Sequence, residues 1–502
     1  MIVHDIILLT VIDIKRSGPD LILTIFGSVA LVSRKIIHWF RQDLRLSDNP
    51  SFSSAAKQGA VLPLYILDDV NCTKTALGAA SSCWLHHSLL ELSASLDCKL
   101  ITKSGDPLLI IFDLIKKYKI DEVHWNRCYE PWQIKRDSSL KSKLRDAGII
   151  VTTHNGSLLW EPWEIEKKSG GNYKVFTPFY RKGCLQFMPP RNPVTKPKKI
   201  EYLSHKEPLN SIDSLSLMTS ASWGNAMMNH WEVGERAAMK RLKIFLKNDL
   251  LEYSDGRNFP AEQKISRLSP HLHWGEISPN QIWYAVKKLP QNKNMDCFLS
   301  ELGWREFSYS LLYYYPTLAR DNLQKKFDRF PWRKSKKLLN SWQRGMTGYP
   351  IIDAGMRELW QTGFMHNRVR MIVASFLVKN CLIHWNEGEK WFWDCLLDAD
   401  LASNSASWQW VAGCGADAAP FFRIFNPVTQ GKKFDPKGEY TRNYIPELSA
   451  LPDKYLYSPW EAPAEVLHEA GVKLGKTYPK PVVDLPLSRQ RALEAYKAIK
   501  NS

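Results

Sequence analysis

Paired cysteines, glycine-rich phosphate loops and long apolar runs are all missing from this 502-residue chain, and each absence excludes a class of function. The nine cysteines are scattered and none stands in a CxxC spacing, so no zinc site or disulfide framework is written into the sequence. Reduced thiols in a cytoplasmic protein fit that pattern. Neither GxGxxG nor GxxxxGK[ST] occurs, which removes the usual signatures of dinucleotide and P-loop sites. The most apolar stretches, 6–14 and 21–32, are interrupted or flanked by Asp13, Lys15, Arg16 and Asp20. Neither reaches the roughly 20 residues that a bilayer crossing needs. They do not read as a secretory signal, because Asp5 stands where a basic segment is wanted and no small-residue cleavage site is clear. Residues 1–34 are read as an extension preceding the folded pattern. Acidic residues are the scarcer charge, 51 against 68 lysines and arginines, which leaves a net charge of +17.

That excess favours a polyanionic partner, most simply nucleic acid. The length allows two or three domains with large cores. Hydrophobic residues at 44% and charged residues at 24% read as globular. The 20 tryptophans exceed what packing usually needs. Indoles can stack on bases or on a flat cofactor, although most large aromatics are core.

From Lys35 onward the pattern alternates. IIHWF, AVLPLYIL (60–67), KLITKS (99–104), EVHWN (122–126) and IIVTTH (149–154) read as strands. Helical spacing separates the later ones, at 84–96, 108–120 and 134–148. Strands alternating with helices predict a parallel α/β domain over 35–165, with ligands at the carboxyl ends of its strands. Residues 166–235 read as a connector, and its Pro- and Lys-rich part, RNPVTKPKKIEYLSHKEP, as an exposed linker. From 236 to 490 the periodicity is helical, so the fold class is α/β followed by all-α.

The stretch 347–433 is unlike a plain helical core. It holds TGYPIIDAGMREL, MHNRVRM, DADLASN, WQWVAG and RIFNPVTQGKKFD. Buried polar groups cost free energy unless paired, so this many must satisfy one another or a polar ligand. Upstream, SRLSP (266–270) sets serine hydroxyls and Arg267 at a helix start, a combination suited to phosphate though common as a simple cap. ELGWREF places Glu301, Trp304 and Arg305 on one helical face, where a structural Glu–Arg pair is the plain alternative.

These motifs, with FRQDLRL near the start, resemble the photolyase/cryptochrome family over roughly residues 36–490. The resemblance implies a Rossmann-like antenna domain, a helical FAD-binding domain, and light-driven repair of cyclobutane pyrimidine dimers in DNA by a carbon–carbon lyase. The alternative is a cryptochrome-type blue-light photoreceptor without repair. It implies FAD contacts at Tyr253, Ser266, Arg267, Leu268, Ser269, Arg305, Arg370, Asp398, Asp400 and Asn404, with Arg370 paired to Asp398 and Asn404 facing flavin N5. Lys264-Ile265 replaces the family's usual Gly-Thr, so one hydroxyl contact is lost. Trp408, Trp385 and Trp332 match the tryptophans that carry electrons to the flavin. Glu301 and Trp304 match the residues that meet the damaged base. Asn367, Arg368, Met371 and Trp410 match the substrate pocket of the cyclobutane-dimer enzymes. Arg423, Thr429 and Lys432 are expected backbone contacts. Neither Asn367 nor Met371 is the histidine found in enzymes for (6-4) photoproducts. WNRCYEPW resembles the branch carrying methenyltetrahydrofolate as antenna, with no residue assigned to hold it. The family reading also implies a monomer.

Overall fold

Short runs of β-branched and aromatic residues build a five-stranded parallel sheet in the computed structural model, which describes residues 33–72, 76–208, 212–218 and 221–500. The extension 1–34 lies almost wholly outside the described residues. The strands are β1 Arg34–Phe40, β2 Gly59–Leu67, β3 Ile101–Ser104, β4 Glu122–Asn126 and β5 Ile150–His154, in the spatial order β3-β2-β1-β4-β5. His38 of β1 lies in register with Pro63 of β2 and His124 of β4. Side chains alternate across the sheet. Ile36 and Phe40 enter one hydrophobic cluster with Phe52, Trp84 and Leu89, while Ile37 and Trp39 enter another with Ile111, Trp125 and Leu144. Both faces are therefore covered, as a parallel sheet requires.

Four helices supply the cover: α1 Pro50–Gln58, α2 Ala79–Ser95, α3 Pro107–Tyr118 and α4 Pro131–Asp146. The loop expected after β1 in fact leads into α1. Asn49 accepts the Phe52 N–H and Pro50 opens the helix, so Asn-Pro was a readable start signal. Asp106 and Pro107 start α3 in the same way. Because the chain runs outward from β1 to β2 on one side and to β4 on the other, the crevice at the carboxyl ends of β1 and β4 is the switch point of the sheet.

The segment 191–208 exposes its lysines, as its composition suggested, yet it is docked on the α/β layer. Glu207 is 8% exposed and accepts from Tyr118 at 2.9 Å, with Lys103 and Lys117 as ion-pair partners. Val61 of β2 donates its N–H to the Glu201 carbonyl and accepts the Leu203 N–H, and Arg191 pairs with the buried Asp48. Scattered charges found buried counter-charges on the α/β layer, which composition alone does not reveal.

The helical part has two further clusters. One surrounds the Lys293–Tyr314 helix and takes in Leu158, Leu159 and Trp160 from the segment after β5. The other gathers the helices Pro350–Thr362, Asn367–Ser375, Trp385–Cys395 and Leu401–Ala412. Arg34–Ser502 forms one compact unit.

Candidate functional site

The site begins at a strained turn. Arg267 has φ +51°, in the left-handed region, just ahead of the short Ser269–His273 helix. Arg241 donates to the Ser266 and Ile265 carbonyls at 2.8 and 2.7 Å. That grip fixes the loop from behind. Ser266, Arg267 and Ser269 stay half-buried, whereas Leu268 is 1% exposed and lost to the core. Leu268 can therefore meet a ligand only through its backbone. The Arg267 guanidinium lies 4.2 Å from the Trp231 ring centroid, and burial lowers its pKa. Among the described residues it has no hydrogen bond or ion pair of its own. A half-buried, unpaired guanidinium beside two serine hydroxyls suits a phosphate. Tyr253 packs its ring on Phe245 and Phe298 under the Arg257 guanidinium.

The three named residues of the long Lys293–Tyr314 helix take separate partners. Glu301 forms an ion pair with Arg257, so the Glu301–Arg305 pair is not the one that forms. Trp304 stacks flat on Phe176, with centroids 3.8 Å apart and planes 10° apart, which leaves one ring face for another partner. The Phe176 N–H in turn donates to Asp417 at 3.1 Å, on the loop beyond Trp410. Arg305 donates to the Ser157 carbonyl at 2.8 Å and to Glu306 at 3.2 Å. Glu306 accepts the Leu159 and Trp160 N–H groups. Arg305 thus commits part of its fork to clamping the helical part onto the segment after β5.

DADLASN sits where a helix starts. Arg370 and Asp398 form the expected bidentate pair, at 3.1 and 2.8 Å. Asp400 caps the Leu401–Ala412 helix through the Ser403 N–H and also accepts from Tyr309. Burial raises its pKa, but His273, Arg305 and Tyr309 outweigh that and hold it below the usual carboxylate range. Asn404, 8% exposed, donates to the Glu389 carbonyl at 3.1 Å and has a further N–H and an acceptor beyond that bond.

The three tryptophans lie on successive elements, with a fourth ring among them. Trp332 meets His384 edge-on at 5.0 Å, and His384 stacks on Trp385 at 5.5 Å. Gly388, one turn beyond Trp385, lies directly against the Trp408 indole. The row therefore runs through His384 and along the Trp385–Cys395 helix. The spacing of the tryptophans in the chain could not reveal this.

At the outer face, Asn367 is exposed, and Arg368 donates to Asn258 and lies 3.9 Å from the Met371 sulfur. His366 caps this helix. Burial, followed by Arg368, Arg257 and Arg370, pulls its pKa down to about 3, so it is neutral and accepts the Arg368 N–H. Arg423, Thr429 and Lys432 are on the surface, at or near the Pro427–Phe434 helix. Lys379, 1% exposed in a π-helical turn, holds the Arg423 carbonyl at 3.0 Å. Sequence reasoning missed Arg241, Arg257, Asn258, Phe176 and Lys379. RN in YSDGRNFP was the one readable signal among them.

The arrangement fits FAD: an unpaired guanidinium with hydroxyls for phosphate, a half-buried Arg–Asp pair, and a buried amide on the adjoining helix. The sequence comparisons agree. Residues 36–198 match the family model for DNA photolyase, and residues 298–498 match the FAD binding domain of DNA photolyase. The deoxyribodipyrimidine photo-lyase of Agrobacterium fabrum is 48% identical, covering 94% of this chain and 100% of that one. Cryptochrome-1 of Arabidopsis thaliana is 36% identical, covering 91% of this chain and 70% of that protein. Among solved structures, a bacterial class III photolyase from Agrobacterium tumefaciens superposes with a TM-score of 0.90 at 47% identity, covering 95% of this chain and 100% of the other.

Proposed function

The chain belongs to the DNA photolyase family, and from that premise we propose that it is a deoxyribodipyrimidine photo-lyase acting on cyclobutane pyrimidine dimers in DNA. The observation that carries the reading is the 48% identity to the Agrobacterium photo-lyase along its whole length; the cryptochrome is more distant, at 36%.

When bound, FAD would supply the light-driven one-electron chemistry for splitting the cyclobutane ring. The protein supplies position and electrostatics. Arg267, Ser266 and Ser269 would hold the FAD phosphates, and Arg370–Asp398 and Asn404 would line its ring. Surface cations Arg423 and Lys432 grip the DNA backbone without reading sequence. Turning the dimer out of the duplex costs a few kcal/mol, less where pairing is already damaged. The free face of Trp304, braced from behind by Phe176, gives the flipped base a stacking surface. Glu301 is held by Arg257 and offers carboxylate oxygens to base N–H groups. Trp332, His384, Trp385 and Trp408 would offer a row of aromatic rings for passing electrons to the oxidised cofactor.

For the antenna we propose methenyltetrahydrofolate, supported by the WNRCYEPW segment. There the Trp132 indole donates to Glu130 at 2.6 Å under the Arg136 guanidinium. Mass spectrometry of the extracted chromophores tests this. We also propose a cytoplasmic monomer, which light scattering tests for assembly. The deciding experiment is light-dependent repair of a thymine-dimer oligonucleotide by reduced protein, with a dark control. Recovery of base absorbance only under near-UV or blue light supports the reading. Bound, reducible FAD without repair would instead make the protein a photoreceptor.

A further inference from the structure

One concavity lies apart from the flavin and substrate residues. It sits between the Lys336–Gln343 helix, the Leu485–Lys500 helix and the 475–484 segment, with a cavity volume of about 890 Å³. Five cations line it: Arg333, Lys337, Lys476, Lys480 and Arg491. The carboxylate at its edge, Asp484, is engaged in accepting the Leu487 N–H at 2.8 Å. Among the described residues, none of the five cations forms an ion pair. Arg491 donates to the Asn380 carbonyl at 2.8 Å, while its Nε is buried without a partner. Burial and the neighbouring charge of Arg333 both lower the pKa of Arg491.

Like charges gathered in a concavity focus a positive potential there. A merely solvated basic surface would spread its cations or pair them. The volume falls in the roughly 300–1,000 Å³ range of small-molecule sites. The wall is amphipathic: Leu338, Val482 and Leu487 give apolar surface, and Ser335 and Ser341 give hydroxyls. The Gly475–Lys476–Thr477 turn is not a phosphate-binding nest. Its amides are spent on Tyr478 and Lys473 carbonyls at 2.7–2.9 Å, so recognition falls to the side chains.

We propose that this groove binds a phosphorylated organic anion of mononucleotide size, at a site separate from those for FAD and the dimer. The phosphates meet the lysines and arginines; the organic body lies on Leu338, Val482 and Leu487. Cations gathered around a cavity suit a compact ligand better than a duplex backbone, which needs them strung along a shallow track.

The test is isothermal titration of the FAD-loaded protein with ADP as probe, inorganic phosphate as the size control and undamaged duplex as the rival ligand. The key variant reverses two exposed lysines, Lys476→Glu with Lys480→Glu. The control reverses Lys57 and Lys116, exposed on the α/β layer. Saturable ADP binding that weakens about tenfold or more in the key variant only, with FAD content and dimer repair unchanged, supports the site. Four results overturn it. These are no saturable binding of millimolar ADP, equal binding in the key variant, inorganic phosphate as tight as ADP, or a groove-dependent affinity for duplex without one for ADP.

Discussion

Gly388→Ala is the sharpest probe of the tryptophan row. Gly388 lies inside the Trp385–Cys395 helix, where alanine should stabilise by about 1 kcal/mol through helix propensity. The surroundings reverse that sign. A Cβ at this position would lie 2.1 Å from Cη2 of Trp408, 2.4 Å from Cζ3 and 2.6 Å from Cζ2. Carbon atoms pack best near 3.5–4.0 Å, so the two helices or the indole must move apart by roughly 1.4 Å. The indole cannot simply swing away. It is 2% exposed, with Phe392 at 5.0 Å and Trp342 at 6.1 Å. Overpacking of this kind costs about 1–3 kcal/mol, occasionally more. Set against the propensity gain, the expected net loss is up to about 2 kcal/mol. Displacing Trp408 should also slow flavin photoreduction several-fold. Urea unfolding and transient absorption of the oxidised holoprotein measure the two effects. A variant as stable as wild type, with unchanged photoreduction, would refute the placement of Trp408 against this helix.

Trp332→Phe should slow photoreduction of oxidised FAD yet leave repair by pre-reduced enzyme intact; normal photoreduction would remove Trp332 from the row. Burial pushes the Glu389 carboxyl up to about 7 against the bonds from Ser405 and Asn386. It is therefore protonated when folded and ionised when unfolded between about pH 4.5 and 7, so its contribution to stability falls as pH rises through that window. Glu389→Gln should flatten the slope by up to about 1.4 kcal/mol per pH unit and raise stability at pH 8 relative to wild type, a pattern that denaturant titrations at several pH values check. Lys432→Gln should weaken DNA binding evenly across sequences and lower the salt slope by about 0.9; an unchanged slope would place Lys432 off the backbone. Lys379→Met should loosen the segment carrying Arg423 and reduce affinity for dimer-containing DNA with FAD content preserved, measured by fluorescence anisotropy.

Much of the architecture was legible because it rests on local pattern. Short apolar runs placed β1 to β5, and 3.6-residue spacing placed the long helices. The Arg370–Asp398 pair was legible only through the resemblance to a known family, since 28 residues separate the partners, and the helix cap at Asp400 was not read from the sequence. Partners distant in the chain were not legible. Arg257 takes Glu301 across 44 residues, and Phe176 lies under Trp304 across 128. His384 was hidden for a different reason: stacking depends on ring orientation, which sequence spacing does not specify. Glu207 turned a Lys- and Pro-rich linker into a docked segment, since a buried carboxylate draws lysines from α3 and β3 that composition treats as solvated surface. The sequence by itself thus determined the two-part fold, because that follows from residue type and periodicity, while the phosphate turn and the chemical class of the site were carried by whole motifs that resemble a known family. Only the tertiary structure decided which charges neutralise one another, which aromatic rings touch, and where cations remain unpaired, because those outcomes depend on distances that folding alone sets.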